Sequence, residues 1–128
     1  MSTRATYQFI PADQTFRPII TLYIHHDGYP AGAAEYLSGV ETPEQFIRRN
    51  RQAEITDSHD THEDTEYRYT IYEGSGLMQA QKRDFPLSVN LPAVSVRIGT
   101  IQRRNPVLWE TIFEGKITQF TTEEKQNA

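Results

Sequence analysis

The sequence predicts an α+β fold, in which an antiparallel sheet of about five to seven strands carries two short helices on one face. Three observations predict it. Two strand patterns stand at the amino-terminal end, two helix-start signals follow them, and short strand patterns separated by turn residues fill the rest. The expected order is ββααββββ. Residues 1–120 are expected to form a single domain, and residues 121–128 a frayed tail.

The first two strands are predicted over residues 4–10 and 18–26. In the second, Ile20, Leu22 and Ile24 alternate with polar or aromatic residues, which is the pattern of a strand with one buried face. Because a short turn-rich stretch separates the two strands, we expect them to pair as a hairpin.

Two short helices are predicted next. Pro30 opens the first, over residues 31–38, and Gly39 is placed to end it in the left-handed conformation. The second begins after Thr42, and Gln45 stands at the spacing of a capping box. We expect this second helix to extend to about residue 52, with its apolar residues facing the sheet.

The remainder is predicted to be a polar loop followed by strands. The loop covers residues 54–65. The Gly74-Ser75-Gly76 stretch predicts a hairpin turn, and Glu114-Gly115 predicts either a bulge or a tight turn. The strand patterns cover residues 66–73, 77–83, 93–101, 107–113 and 116–120.

The most distinctive stretch is His25-His26-Asp27-Gly28-Tyr29-Pro30-Ala31-Gly32, at the end of the second strand. Together with Thr3-Arg4-Ala5-Thr6 near the start, it resembles a family of small uncharacterised proteins found in phages, prophages and other bacterial genomes. The resemblance covers about the amino-terminal third of the chain. It implies a bacterial or phage origin and assigns no catalytic residue.

This motif has two interpretations. The structural one is turn chemistry, since Asp-Gly supplies a tight turn and proline starts the next helix. The functional one is a small ligand or phosphate pocket, because free N–H groups at a helix start attract anions. The ligand-binding candidates are Arg4, His25, His26, Asp27 and Tyr29.

The four histidines fall into two pairs, and the second pair lies among acidic residues. Imidazole and carboxylate groups together bind divalent metals. If the two regions meet, the candidate ligands are His25, His26, Asp27, His59 and His62. However, no His-Glu-x-x-His helix signature is present, and a solvated loop is the simpler interpretation. No metal and no cofactor is therefore predicted.

Residues 54–66, here called the acidic segment, contain six carboxylates and no lysine or arginine. One interpretation is a solvated loop with loose ion pairs, each contributing about 0–1 kcal/mol. The other is a contact surface that steers a basic partner. The predicted contact residues are Glu54, Asp57, Asp60, Glu63, Asp64 and Glu66.

Composition limits the environment and the partners. The chain has no cysteine, which excludes disulfides, thiolate zinc sites and cysteine nucleophiles. The first residues lack a signal-peptide pattern and the apolar runs are short, so we expect a cytoplasmic protein of a bacterial host cell, without membrane contact. The net charge of −4 argues against direct nucleic-acid binding.

These observations favour a binding protein over an enzyme. The favoured hypothesis is a small phage or mobile-element protein that acts on a host protein by steric or electrostatic blocking, as an anti-CRISPR-like inhibitor of a defence system would. One alternative is a metal-dependent hydrolase or nuclease built on the histidine and aspartate clusters. Another is an oligomerisation or ligand-binding module, with Tyr23, Tyr72 and Trp109 on an exposed homodimer surface.

Overall fold

The computed structural model describes residues 3–12, 18–59, 61, 64–83 and 109–127, with side chains up to residue 124. The strands are β1 (Ala5–Ile10), β2 (Ile20–Ile24), β3 (Glu54–Thr56), β4 (Tyr67–Tyr72), β5 (Leu77–Arg83) and β6 (Trp109–Lys116). The helices are α1 (Pro30–Leu37), α2 (Pro43–Arg49) and α3 (Ile117–Asn127). This mixed sheet with helices confirms the α+β class and the expected number of strands. The strand predicted at residues 93–101 lies outside the described residues.

The strand order in the sheet is β3-β2-β1-β4-β5-β6. β1 and β2 pair antiparallel, as the predicted hairpin requires, and β4 and β5 do the same. The expectation of a purely antiparallel sheet is wrong, because β1 and β4 pair in parallel. β3 adds to β2 on one side of β1 and β4 adds to β1 on the other, so the chain must cross the sheet between them.

The polar loop predicted at residues 54–65 begins instead with the three-residue strand β3. A turn in which the Ala53 N–H donates to the Asn50 carbonyl (3.0 Å) brings the chain back beside β2. Three residues are too few to show an alternating pattern, so the sequence carried no strand signal here.

The two predicted helices are confirmed as α1 and α2. In α2 the Gln45 N–H donates to Thr42 Oγ1 and the Thr42 N–H donates to Gln45 Oε1, both at 3.3 Å, which is the predicted capping box. Gly39 follows α1 with φ at +74°, the left-handed conformation expected of it. α2 ends at Arg49, before the predicted end.

The carboxyl-terminal prediction is wrong in part. Residues 117–120, predicted as a strand, begin helix α3, which continues through the residues predicted to fray. Ile117 and Phe120 are both buried, and the Phe120 ring lies 5.2 Å from that of Phe113 in β6. Their spacing of three residues suits a helix face, and burial here overrides the strand propensity of the local sequence.

Both alternatives predicted for Glu114-Gly115, a bulge and a tight turn, are wrong, since both residues lie inside β6 and pair in register with β5. The irregularity falls nearby. Ala80 faces Phe113 and Gln81 faces Thr111, so Ile112 is the extra residue of a bulge.

The sheet has one apolar and one polar face. On the first, side chains of β1, β2, β4 and β5 pack against α1, α2 and α3; its large buried members are Tyr7, Phe9, Leu22, Tyr69, Ile71 and Met78. The opposite face, here called the outer face, follows from strand alternation. It carries Thr6, Gln8, Thr21, Tyr23, Arg68, Thr70, Gln79 and Gln81.

Candidate functional site

Residues 57–66, here called the crossover, connect β3 to β4, and the structure describes all of them except 60, 62 and 63. The described residues contact the outer face of the sheet. Near the start of the crossover, the His59 ring lies between two threonines: its Nδ1 is 2.7 Å from Thr6 Oγ1 on β1, and its Nε2 is 3.0 Å from Thr70 Oγ1 on β4. His59 is only 9% exposed, and both threonines are buried. A neutral imidazole has one donor and one acceptor nitrogen, and a hydroxyl can supply either partner. The ring therefore fixes the crossover to the sheet.

Asp64 provides a second anchor near the end of the crossover. The Tyr23 hydroxyl donates to Asp64 Oδ1 at 2.8 Å, and Arg4 Nε lies 3.2 Å from Asp64 Oδ2. Burial raises the pKa of the Tyr23 hydroxyl, and its hydrogen bond to the Asp64 carboxylate raises the pKa further. The hydroxyl therefore stays protonated and keeps donating throughout the physiological pH range.

The crossover ends by joining the backbone of β1. The Glu66 N–H donates to the Arg4 carbonyl at 2.9 Å, and the neighbouring Thr65 is buried at 1% exposure. Over its described residues, the predicted polar loop is thus attached to the outer face at His59, Asp64 and Glu66.

A histidine–carboxylate pair lies beside these anchors. His25 Nε2 is 3.2 Å from Glu54 Oε2, and the His25 ring meets the Tyr23 ring edge-on with centroids 4.6 Å apart. Both side chains of this hydrogen-bonded pair are substantially exposed, at 40% and 60%. Exposed pairs of this kind contribute about 0–1 kcal/mol, so the Glu54 carboxylate stays accessible to a partner.

The structure describes four of the six predicted contact residues. Glu54 stands on β3, Asp57 is exposed at the start of the crossover, Asp64 is half-exposed and anchored, and Glu66 is partly buried before β4. Asp60 and Glu63 lie outside the described residues. The described part of the acidic segment therefore lies along one edge of the sheet and on its outer face.

The proposed metal ligands are not brought together where the structure describes them. His59 has both ring nitrogens bonded to threonine hydroxyls, and His25 pairs with Glu54. His26 and Asp27 are exposed at the end of β2, and His62 lies outside the described residues. Within the described part of the chain, no three His, Asp or Glu side chains form a group that could hold a metal ion.

The glycines of the distinctive motif allow close packing. Asp27 adopts φ of +57°, and an added Cβ on Gly28 would lie 2.6 Å from the Ala5 Cβ. A Cβ on Gly32 would lie 2.0 Å from the Asp27 carbonyl oxygen. The Tyr69 hydroxyl donates to the Gly28 carbonyl at 2.6 Å. These contacts favour the structural interpretation, in which the motif folds a corner between β2 and α1.

The residues of the candidate anion pocket do not lie together, because Arg4, its positive charge, is on the opposite side of the sheet from α1. Arg4 pairs with Asp64 on the outer face, whereas α1 packs on the apolar face. Tyr29 is the N-cap of α1, but its side chain makes no capping hydrogen bond and is 43% exposed.

The three aromatic residues predicted to share a surface are only partly exposed. Strand register places Tyr23, Tyr72 and Trp109 on the outer face. Tyr23 is 2% exposed beneath Asp64, so its predicted exposure is wrong. Tyr72 is 40% exposed, and the Arg68 guanidinium lies 3.7 Å from the centre of the Trp109 ring.

Thr6 and Thr70 are the site residues that sequence reasoning missed. Their positions next to aromatic and aliphatic core residues place them on the polar face of their strands, which alternation could have shown. Their role as partners of His59 depends on how the crossover folds, and local sequence does not encode that.

Compared with family models, with curated proteins and with solved structures, the chain gave no match. Among the described helices, none is both long and apolar enough to cross a membrane.

Proposed function

We propose that this chain is a binding protein that recognises a basic surface of another protein through its acidic segment. The observation that carries the proposal is the buried His59 ring, bonded to Thr6 and Thr70, which holds the crossover against the sheet. A surface that is ordered before binding loses less conformational entropy on association. The anchored crossover therefore suits recognition better than a free acidic loop would.

Charge supports the same proposal. The acidic segment carries no lysine or arginine, and Glu54 and Asp57 are exposed in the structure. Grouped charges of one sign accelerate encounter with an oppositely charged partner and exclude partners of like charge. A basic protein surface is the partner that this arrangement favours.

In a phage or mobile element, such a protein would act on a host protein. By covering a basic surface that normally contacts nucleic acid, it would block that contact sterically and electrostatically. This is the mode of an anti-CRISPR-like inhibitor of bacterial defence. The resemblance of the amino-terminal motif to phage and prophage proteins supports that setting.

The test compares two triple variants with the same loss of negative charge. One carries Glu54→Gln, Asp57→Asn and Asp60→Asn in the acidic segment. The matched control carries Glu35→Gln, Glu110→Gln and Glu123→Gln, three acids outside that segment whose side chains are exposed. Each tagged protein is used to capture partners from its native host, with quantification by mass spectrometry.

We expect the segment variant to lose its specific partner by about tenfold or more, because both association rate and affinity depend on complementary charge. The control variant should retain it. Equal capture by the two variants would contradict the proposal, and so would a captured partner whose contact surface is acidic.

A further inference from the structure

β3 forms one edge of the sheet. It pairs with β2 on one side, with Ile55 opposite Leu22 and Glu54 opposite Tyr23. Within the described residues, no strand pairs with its other side. An edge of this kind offers backbone donors and acceptors to an added strand.

Strand register shows which groups point outward. The carbonyls of Arg4 and Ile10 accept hydrogen bonds from the β4 side. Alternate residues of a strand direct their backbone N–H and C=O groups to opposite neighbours. Tyr7 lies three residues from both Arg4 and Ile10, so its backbone groups point toward β2, where Tyr7 pairs with Leu22. Leu22 therefore faces β1, and Ile55 opposite it directs both its N–H and its C=O away from the sheet.

The Ile55 side chain is exposed as well. At 75%, it is the most exposed of the large apolar side chains in the described part of the chain. Sheet edges usually carry charged residues or proline, or are covered by another element. Glu54 is a charge of this kind, but Ile55 beside it is a β-branched apolar residue with outward backbone groups, which is the residue type that favours strand pairing.

The flanking charges select the occupant. Glu54 and Asp57 are exposed on either side of Ile55. A second copy paired antiparallel through Ile55 would bring both pairs of carboxylates to one short edge, which like-charge repulsion disfavours. An extended segment with basic residues beside the two acids meets no such repulsion.

We propose that β3 accepts an extended basic segment of the partner as an added strand. An apolar residue of that segment lies beside Ile55, and lysine or arginine residues lie beside Glu54 and Asp57. The inference rests on the proposed function in one respect, namely that the partner's surface is positively charged. The added strand is the mode of recognition, and it can fail independently.

The test uses a synthetic extended peptide with a valine to lie beside Ile55, a lysine directly after it to face Glu54 and a lysine two residues before it to face Asp57 in antiparallel pairing. Amide hydrogen exchange of the full chain is followed by NMR. In the free protein the Ile55 amide should exchange fast, because it faces away from β2. In the peptide complex it should slow by about tenfold or more. A peptide of the same composition, with its lysines and valines in separate blocks, should not slow it.

Two variants separate backbone pairing from charge. Ile55→Pro removes the outward N–H but leaves the bonds of Glu54 and Thr56 to β2, and proline is tolerated on edge strands in this orientation. We expect I55P to weaken peptide binding about tenfold, while Ile55→Val stays within about twofold. An unchanged far-UV circular dichroism spectrum establishes that I55P is folded.

Several outcomes would overturn the inference. The first is slow exchange of the Ile55 amide in the free protein. The second is a free protein with the mass of a dimer that becomes a monomer in I55P, which would mean that a second copy covers the edge. The third is peptide binding that leaves the exchange rate of the Ile55 amide unchanged. Loss of the host partner in the segment variant (Glu54→Gln, Asp57→Asn and Asp60→Asn), with full retention in I55P, would rule out the added strand and leave the proposed function standing.

Discussion

Tyr7 and Tyr69 are stacked, buried tyrosines that differ in what their hydroxyl groups contact. Their ring centroids are 5.0 Å apart, on neighbouring strands of the apolar face. The Tyr69 hydroxyl donates to the Gly28 carbonyl, whereas that of Tyr7 has no hydrogen-bond partner within the described part of the chain. A buried polar group without a partner destabilises the folded state.

The two tyrosines therefore predict opposite effects of the same substitution. Tyr7→Phe should leave the free energy of unfolding unchanged or raise it by up to about 1 kcal/mol, because it removes an unsatisfied hydroxyl. Tyr69→Phe should lower it by about 1 kcal/mol, since the Gly28 carbonyl loses its donor. Urea unfolding of both variants measures the difference, and a larger loss for Tyr7→Phe would contradict the assignment.

The corner between β2 and α1 should be sensitive to a single added methyl group. Gly32→Ala places a methyl group against the Asp27 carbonyl, and we expect a loss of about 2 kcal/mol or more, because the backbone must shift. Gly76→Ala is the comparison: there the added Cβ meets nothing within 4 Å, and only the positive φ of +72° opposes it. Its loss should be about 1 kcal/mol. Equal losses in urea unfolding would mean that the corner can relax.

At the scale of elements, the sequence predicted the helix starts and turns that neighbouring residues determine, and missed the elements that distant contacts hold in place. Thr42 and Gln45 encode their capping box in the sequence, and the structure has it. β3 and α3 were not predicted, because β3 is held by pairing with β2 and α3 by burial of Ile117 and Phe120. The acidic segment was identified from its charge, but its attachment to the sheet depends on residues far apart in the chain.

The attachment of the crossover predicts a large effect at one histidine. His59→Ala leaves the buried hydroxyls of Thr6 and Thr70 without this partner, at about 1–3 kcal/mol each, so unfolding should require about 2–6 kcal/mol less. His26→Ala, at an exposed position, should change it by less than about 0.5 kcal/mol. Similar losses in the two variants, measured by urea unfolding, would mean that His59 does not hold the crossover.

At the scale of the whole molecule, buried tyrosines predict sensitivity to alkali. Burial raises the pKa of Tyr7, Tyr69 and Tyr23 in the folded state. In the unfolded chain these hydroxyls titrate near pH 10. Above that pH the unfolded state loses protons that the folded state keeps, so this part of the stability is present below pH 10 and is lost as the pH rises.

We therefore expect the free energy of unfolding to fall above pH 10, by about 1.4 kcal/mol per pH unit for each such tyrosine. Urea unfolding between pH 8 and pH 11 measures the slope. Tyr7→Phe should make it shallower, because one titrating group is removed. A slope that is flat in this range, or unchanged in the variant, would contradict the assignment.

The two faces of the sheet are covered differently, since helices bury the apolar face while the described part of the acidic segment lies on the edge and the outer face. We propose that only the second of these surfaces binds a partner. The most direct test of this division is amide hydrogen exchange of the chain, alone and in complex with the protein that it captures from its host. Exchange should slow across residues 54–66 and stay unchanged in α1 and α3. Slowing confined to α1 and α3, with residues 54–66 unaffected, would contradict it.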